Sequence, residues 1–237
     1  FTMNKKYNFN ENFFEKIDTE EKAYFLGFLY ADGNVSQQNH IIIQLHNKDE
    51  DIIYKFLKAI NSNHSPKLIL PRNHIRVELC SKKVSNDLIK LGCFKAKSKI
   101  LEFPKQEQVP EYLINHFIRG YFDGDGSIWE GKRKKSWVKD KYSKKGFRER
   151  IIHNTKFNIT GTEDIILKIE SILLKNNVIK KFGINRSKKI ENCIQLEHSG
   201  RIQILKFYNY LYNNCTIFLQ RKKIKFEKIL NICANIE

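Results

Sequence analysis

A nine-residue pattern occurs twice in this chain, and any fold it adopts must accommodate both copies. Phe25-Leu26-Gly27-Phe28-Leu29-Tyr30-Ala31-Asp32-Gly33 returns as Ile118-Arg119-Gly120-Tyr121-Phe122-Asp123-Gly124-Asp125-Gly126. Each copy has glycine third and closes on a small residue, an aspartate and a glycine, and the offset is 93 (Asp125 against Asp32). Asp51-Ile52-Ile53 and Asp164-Ile165-Ile166 form a second pair at an offset of 113. Each opens a segment with apolar residues at helical spacing, Phe56, Leu57 and Ile60 in one and Ile169, Ile172 and Leu173 in the other. A third pair sets the alternating Val77 and Leu79 against Ile194 and Leu196, with Leu88 and Leu205 following in helices. The growth of the offset from 93 to 113 predicts about 20 extra residues in the second half, within 129–150. Two tandem copies of one unit follow from this.

Within one unit, Asp18 and Glu21 suit a helix start, and Phe25, Leu26, Phe28 and Leu29 carry the helix to Gly33. Ile41, Ile43 and Leu45 alternate as in a strand, 49–60 has helical spacing, 67–70 and 74–80 suggest a hairpin, and 84–91 closes with a helix. The second unit starts at Pro110, with a helix over 112–123. It repeats the order through strand 157–159, helix 164–176, strands 178–184 and 193–197, and helix 202–212. The predicted class is α+β, two pseudo-symmetric αββαββα halves over 1–104 and 105–237. Halves of this length can each bury a core.

Lys and Arg exceed Asp and Glu enough to give a net charge of +17, a field that favours a polyanionic partner. No run of 18 or more apolar residues occurs, and the polar start lacks the apolar core of a signal peptide. The expectation is an intracellular protein without a membrane span. Cys80, Cys93, Cys193, Cys215 and Cys233 show none of the close pairing of a zinc site or disulfide framework, so they are expected as reduced, mostly buried thiols.

A helix bearing Gly27 and Ala31, or Gly120 and Gly124, shows small side chains four apart on one face, so two such helices can approach closely. Packing them about a pseudo-two-fold axis brings Asp32 and Asp125, both at helix C-termini, near that axis. Two carboxylates there are mutually unfavourable unless a divalent cation lies between them. Oxygen-only ligation points to Mg²⁺, with Mn²⁺ as a substitute.

The two segments resemble the two motifs of the single-chain LAGLIDADG homing endonucleases. The first part of each copy is degenerate, the closing Ala/Gly-Asp-Gly is intact in both, and the resemblance spans nearly the whole chain. It implies a curved antiparallel sheet from each half, together forming a saddle on double-stranded DNA. The paired helices would then place the carboxylates over the minor groove, where a monomer would cut both strands of a long non-palindromic site. Asp32 and Asp125 would ligate Mg²⁺ together with the backbone carbonyls of Ala31 and Gly124, and Ca²⁺ would support binding without cleavage. In the family a polar side chain just after the second strand orders water; here that place falls to Asn47, with Gly161 as its counterpart, so the two sites would be unequal. A basic residue from the segment after the last helix of each half would face a scissile phosphate. Matching Phe94-Lys95-Ala96-Lys97-Ser98 with Phe218-Leu219-Gln220-Arg221-Lys222 gives Lys97 and either Arg221 or Lys222. A second reading keeps the scaffold without cleavage, as an intron RNA maturase or a DNA-binding regulator; retention of both aspartates favours the nuclease.

The extra segment 129–150 carries Lys132, Arg133, Lys134, Lys135, Lys139 and Lys141 among its cations, with Trp137, Tyr142 and Phe147 interleaved. It is predicted to form an elongated hairpin that runs along DNA phosphates. Candidate base-reading side chains stand on or beside strands. In the first half these are Ser36, Gln38, His40 and Gln44, then Arg72, His74 and Arg76; in the second they are Asn158, Asn185, Arg186 and Gln195. Arg and Gln suit bidentate contacts to guanine and adenine.

Overall fold

The computed structural model describes residues 7–36, 38–94, 100–139, 142, 147–180, 183–186 and 193–234, without the side chains of 133–139, 147–153, 185–186 and 232–234. The first unit is α1 (Glu20–Asp32), β1 (Gly33–Val35), β2 (His40–His46), α2 (Glu50–Ala59), β3 (Lys67–Ile69), β4 (His74–Cys80) and α3 (Lys82–Lys90). The second is α4 (Ile114–Asp125), β5 (Gly126–Lys139), β6 (Phe147–Thr162), α5 (Glu163–Lys175), β7 (Ile184–Arg186), β8 (Cys193–Ser199) and α6 (Arg201–Tyr212). The αββαββα order holds in both halves. One more helix, α7 (Gln220–Ala234), follows without a counterpart in the predicted repeat.

Each unit builds one antiparallel sheet, in strand order β1-β2-β4-β3 and β5-β6-β8-β7. Alternation decides which face is covered. Ile41, Ile43 and Leu45 on β2, with Ile75, Val77 and Leu79 on β4, are buried against the helices. The residues between them form an open, polar face, as expected of antiparallel strands covered on one side.

Between the two sheets run α1 and α4, and the small residues meet there. A Cβ on Gly27 would stand 2.0 Å from the Phe117 carbonyl oxygen, and one on Gly120 would stand 1.9 Å from that of Tyr24. Backbone therefore touches backbone at this crossing, and only hydrogen fits. From Ala23 to Tyr30, α1 is buried on all sides, because both halves cover it.

Buried polar groups hold the assembly in register. Arg119 on α4 is fully buried; its guanidinium donates to Glu20 of α1 (2.6 Å) and to the carbonyls of Leu211 and Ile217 (2.9 Å each). Glu20 also accepts from the Thr216 and Ile217 amides, at 2.8 and 3.2 Å. The chain leading into α7 is thus tied to the first half by a paired, fully hydrogen-bonded charge. Arg221 adds a two-pronged contact to Asp49 (2.6 and 2.8 Å), and Lys55 of α2 reaches the Phe218 carbonyl at 2.7 Å.

Several local expectations need correction. Thr19, not Asp18, caps α1: its backbone is extended and its hydroxyl accepts from the Lys22 amide at 3.4 Å, while Asp18 bonds the Lys22 ammonium at 2.7 Å. Val178, Ile179, Lys180 and Gly183 do not belong to the strand predicted over 178–184, of which 181 and 182 lie outside the described residues. Asn177 takes a positive φ of 55° and turns the chain back, so that the amides of Val178 and Ile179 bond the Leu173 carbonyl; the strand starts only at Ile184. Of the four cysteines whose side chains are described, none disulfide-bonded, only Cys93 is buried, and Cys80 is exposed.

The insertion forms the predicted long hairpin, with β5 and β6 paired out to Lys139 and Phe147, a reach of roughly 45 Å along the strands. Its length follows from the registers. Gly33 pairs with Ile43, whereas Gly126 pairs with Ile159, so the second half gains 23 residues there (33 intervals against 10). The surplus of three over the expected 20 is the 3₁₀ turn Asn47–Asp49, which lies between β2 and α2; α5 follows β6 directly.

Candidate functional site

Asp32 and Asp125 are the last residues of α1 and α4, and both are exposed. The helices that bury Gly27 and Gly120 remain in contact at this end. A Cβ on Gly124 would lie 2.3 Å from the Ala31 Cβ and 3.3 Å from Asp32 Oδ2, so the Asp32 carboxylate reaches the end of the opposite helix. The fields of the two carboxylates converge on the same neighbours. The Tyr121 hydroxyl is held far above its usual range by burial first, then by Asp125 and Asp32. Both carboxylates also act on Lys222.

Lys222 enters from α7 and is only 6% exposed. Its ammonium donates to three successive carbonyls at the end of α4, those of Phe122 (2.6 Å), Asp123 (2.6 Å) and Gly124 (3.1 Å). Phe122 also accepts from the Gly126 amide, whereas the Asp123 and Gly124 carbonyls are among those a helix end leaves without an intrahelical partner, and a cation there also opposes the helix dipole. Burial pulls Lys222 down to about 8, against the attraction of Asp123, Asp32 and Asp125. Of the two predicted basic residues, Lys222 reaches the motif and Arg221 turns away to Asp49. Lys97 lies outside the described residues.

Asp123 supports this arrangement from below. It is buried and accepts from Tyr24 and Tyr212 hydroxyls (2.7 Å each) and from the Leu219 amide (2.8 Å). Burial holds its carboxyl above the usual range, and Lys222 works in the other direction. The repeat places Tyr30 at the matching position, whose hydroxyl instead bonds the Leu91 carbonyl. The two motif ends are therefore built differently.

Two predicted assignments shift. Asn47 starts the 3₁₀ turn beyond β2 and lines a groove with Gln220, Arg221 and Lys225 of α7. Because Gly33 pairs with Ile43, the β2 residue next to the Asp32 end is Gln44, whose amide meets His74 Nδ1 at 3.2 Å. The same register makes Gly161 the counterpart of buried Leu45, not of Asn47, and Thr160 the counterpart of Gln44. Gly161 has a structural reason of its own: a Cβ would stand 2.3 Å from the Tyr121 hydroxyl, which donates to the Thr160 carbonyl.

Among the described residues, no group of three or more His, Cys, Asp or Glu could hold a metal, and the carboxylates at the ends of the two motif helices are Asp32 and Asp125. That donor set fits Mg²⁺, which keeps several waters and takes one or two carboxylates plus substrate phosphate oxygens. The Gly124 carbonyl, expected in the same shell, already accepts from Lys222 and keeps one lone pair.

The open sheet faces gather most of the other candidates. His40 and Gln44 stand on β2, His74 and Arg76 on β4, Asn158 on β6 and Gln195 on β8, all alternating with core residues. Ser36 closes the β1–β2 turn, its hydroxyl accepting from the amides of Gln38 and His40 (3.2 Å each). Gln38 and Arg72 are exposed in turns. Asn185 and Arg186 lie on β7 beside Gln195 and Ile194. Lys132 is exposed on β5, which carries Arg133, Lys134, Lys135 and Lys139 further out, while Lys141 lies outside the described residues. Sequence reasoning missed Glu78 and Glu197 on the same faces, although the alternation His74, Arg76, Glu78 already marks the first.

No protein-family model matches the chain, and a search of curated proteins finds no match. Solved structures do match it. The LAGLIDADG homing endonuclease I-LtrWI bound to target DNA superposes with a TM-score of 0.61 at 12% identity, over 91% of each chain. Meganuclease I-SmaMI bound to uncleaveable DNA gives 0.56 at 13% identity over 90% of each. The LAGLIDADG meganuclease I-CpaMI bound to uncleaved DNA gives 0.55 at 13% identity, over 90% of this chain and 92% of that one. The chain has the fold of these proteins.

Proposed function

We propose that this chain is a LAGLIDADG homing endonuclease in which one polypeptide supplies both halves and cuts both strands of a non-palindromic DNA site. The observation that carries the reading is the convergence of Asp32, Asp125 and Lys222 at the ends of two helices in backbone contact, flanked by two open sheet faces. Neighbours of the same fold described as bound to DNA support it.

Mg²⁺ held by Asp32 and Asp125, with Mn²⁺ as a substitute, would activate water and neutralise charge on the pentacoordinate phosphorus. The chain's own contribution is placement. The α1–α4 crossing fixes the two carboxylates, so little reorganisation is needed when phosphate arrives. Lys222, locked by three carbonyls, adds positive charge beneath the place where charge builds on the phosphoryl oxygens. The sheets take the flanking duplex on either side, with base-reading side chains on their open faces. Because both motifs lie in one chain, the protein is expected to act as a monomer on asymmetric DNA.

Incubation with a randomised library of duplex sites tests the reading. Cleavage in Mg²⁺ and binding without cleavage in Ca²⁺ are expected; sequence-selective binding with no cleavage in either ion would move the chain to the regulator or maturase class.

The long hairpin has its own expected result. Neutralising four of its cations, Lys132, Arg133, Lys134 and Lys135, should flatten the slope of log affinity against log salt by up to about 3.6, at about 0.9 for each phosphate that no longer meets a cation. Base preference should hardly change, since binding to phosphates conveys no direct sequence information. An unchanged slope with altered base preference would show instead that the hairpin reads a groove.

A further inference from the structure

The open faces of a basic chain hold two carboxylates in one equivalent place. Ile43 pairs with Gly33 and Val77, and Ile159 pairs with Gly126 and Leu196, which superposes the two sheets row by row. In the next row, Asn34, Ile42 and Glu78 match Ser127, Asn158 and Glu197. The basic side chains beside the acids also match. His40 Nδ1 lies 2.7 Å from Glu78 Oε1 and Lys156 Nζ lies 2.8 Å from Glu197 Oε2, His40 and Lys156 each standing two residues before the β2 or β6 member of the row. Arg76 adds a 2.6 Å bond to Glu78 and keeps it below the usual carboxylate range.

Stability does not account for these acids. The side chains of Glu78 and Glu197 are 38% and 29% exposed and those of Arg76 and Lys156 are 34% and 32%, a setting in which ion pairs add little to the fold. On a surface that meets DNA, each carboxylate repels phosphates and cancels a useful cation. Something other than affinity has to offset that.

We propose that Glu78 and Glu197 are specificity determinants, each accepting a hydrogen bond from a base amino group, cytosine N4 foremost, at symmetric places in the two half-sites. This rests on the endonuclease reading. A carboxylate is an acceptor only, so guanine O6 and N7 and thymine O4 give it nothing to bond, and a wrong base leaves it desolvated and repelled. Both rows begin two residues after Asp32 or Asp125, and the acids stand two strands across from that start, roughly 10 Å over the sheet, so the bases read lie in the flanking half-sites.

The test is selection from a randomised duplex library in Ca²⁺ by wild type, Glu78→Gln, Glu197→Gln and Glu78→Asp, with thermal melts and affinity for random DNA. Each glutamine variant should lose about tenfold or more of its preference at one base pair of its own half-site. Affinity for random DNA should rise severalfold and the melting temperature should hold. Glu78→Asp keeps the charge but retracts it by one methylene, so it should weaken preference without raising random-DNA affinity. Unchanged preference in the glutamine variants, or a preference that disappears only together with the fold, would overturn the proposal. Wild type that selects no sequence at all would instead overturn the endonuclease reading on which it rests.

Discussion

Asp32→Asn and Asp125→Asn are each expected to lower double-strand cleavage by about 10³ or more while leaving DNA affinity within about tenfold. The substitution keeps shape and removes the charge of one of the two carboxylates that end the motif helices. Both side chains are exposed, so the helices should form as before. Loss of a charge beside two helix C-termini should, if anything, slightly stabilise the metal-free protein. Conversion of supercoiled plasmid to nicked and linear forms, followed in Mg²⁺ with the target site present, measures both strands at once. Wild-type rates in either variant would sink the assignment.

Gly120→Val should cost on the order of 3 kcal/mol or more, with a fall in melting temperature of about 10 °C. Overpacking is often absorbed by the far end of a flexible side chain. Here the first atom met is a backbone carbonyl, 1.9 Å from the new Cβ, with the Phe28 amide nitrogen at 2.8 Å. Relief requires α1 and α4 to separate, and that movement would also pull Asp32 away from Gly124. Cleavage should therefore fall even at temperatures where the variant remains folded. An unchanged melting curve would show that the helices do not cross as closely as described.

Gly27, Ala31, Gly120 and Gly124 made this crossing legible, because four-residue spacing of small side chains has few other uses. The core strands β2 and β4 were legible from alternation, as in Ile41, Ile43 and Leu45, while the sheets they build came from the resemblance. Placement along the strands was not. Asn47 and Gly161 were matched by distance from the motif, whereas the register depends on a three-residue turn that only one half contains. Helix α7 was hidden because its buried positions, Lys222, Phe226 and Ile229, begin with a lysine in a run that reads as a solvated charged segment. What buries that lysine is the end of a helix 100 residues earlier in the chain, an interaction no local pattern encodes. Asp123 was hidden for a similar reason. Its partners Tyr24 and Tyr212 lie 99 residues before it and 89 after it.

The path of the C-terminal segment sets how this protein can recombine. Thr216, Ile217 and Phe218 bond to Glu20 and Lys55, and Arg221 to Asp49, so the last segment of the second half is anchored on the first. Halves drawn from different proteins would bring the two motif helices together and still leave this strap without its partners. A chimaera with a foreign first half would need Glu20, Asp49 and Lys55 grafted into it before Lys222 could be held under the carboxylates. The inheritable unit is the pair of halves together with the strap that crosses between them.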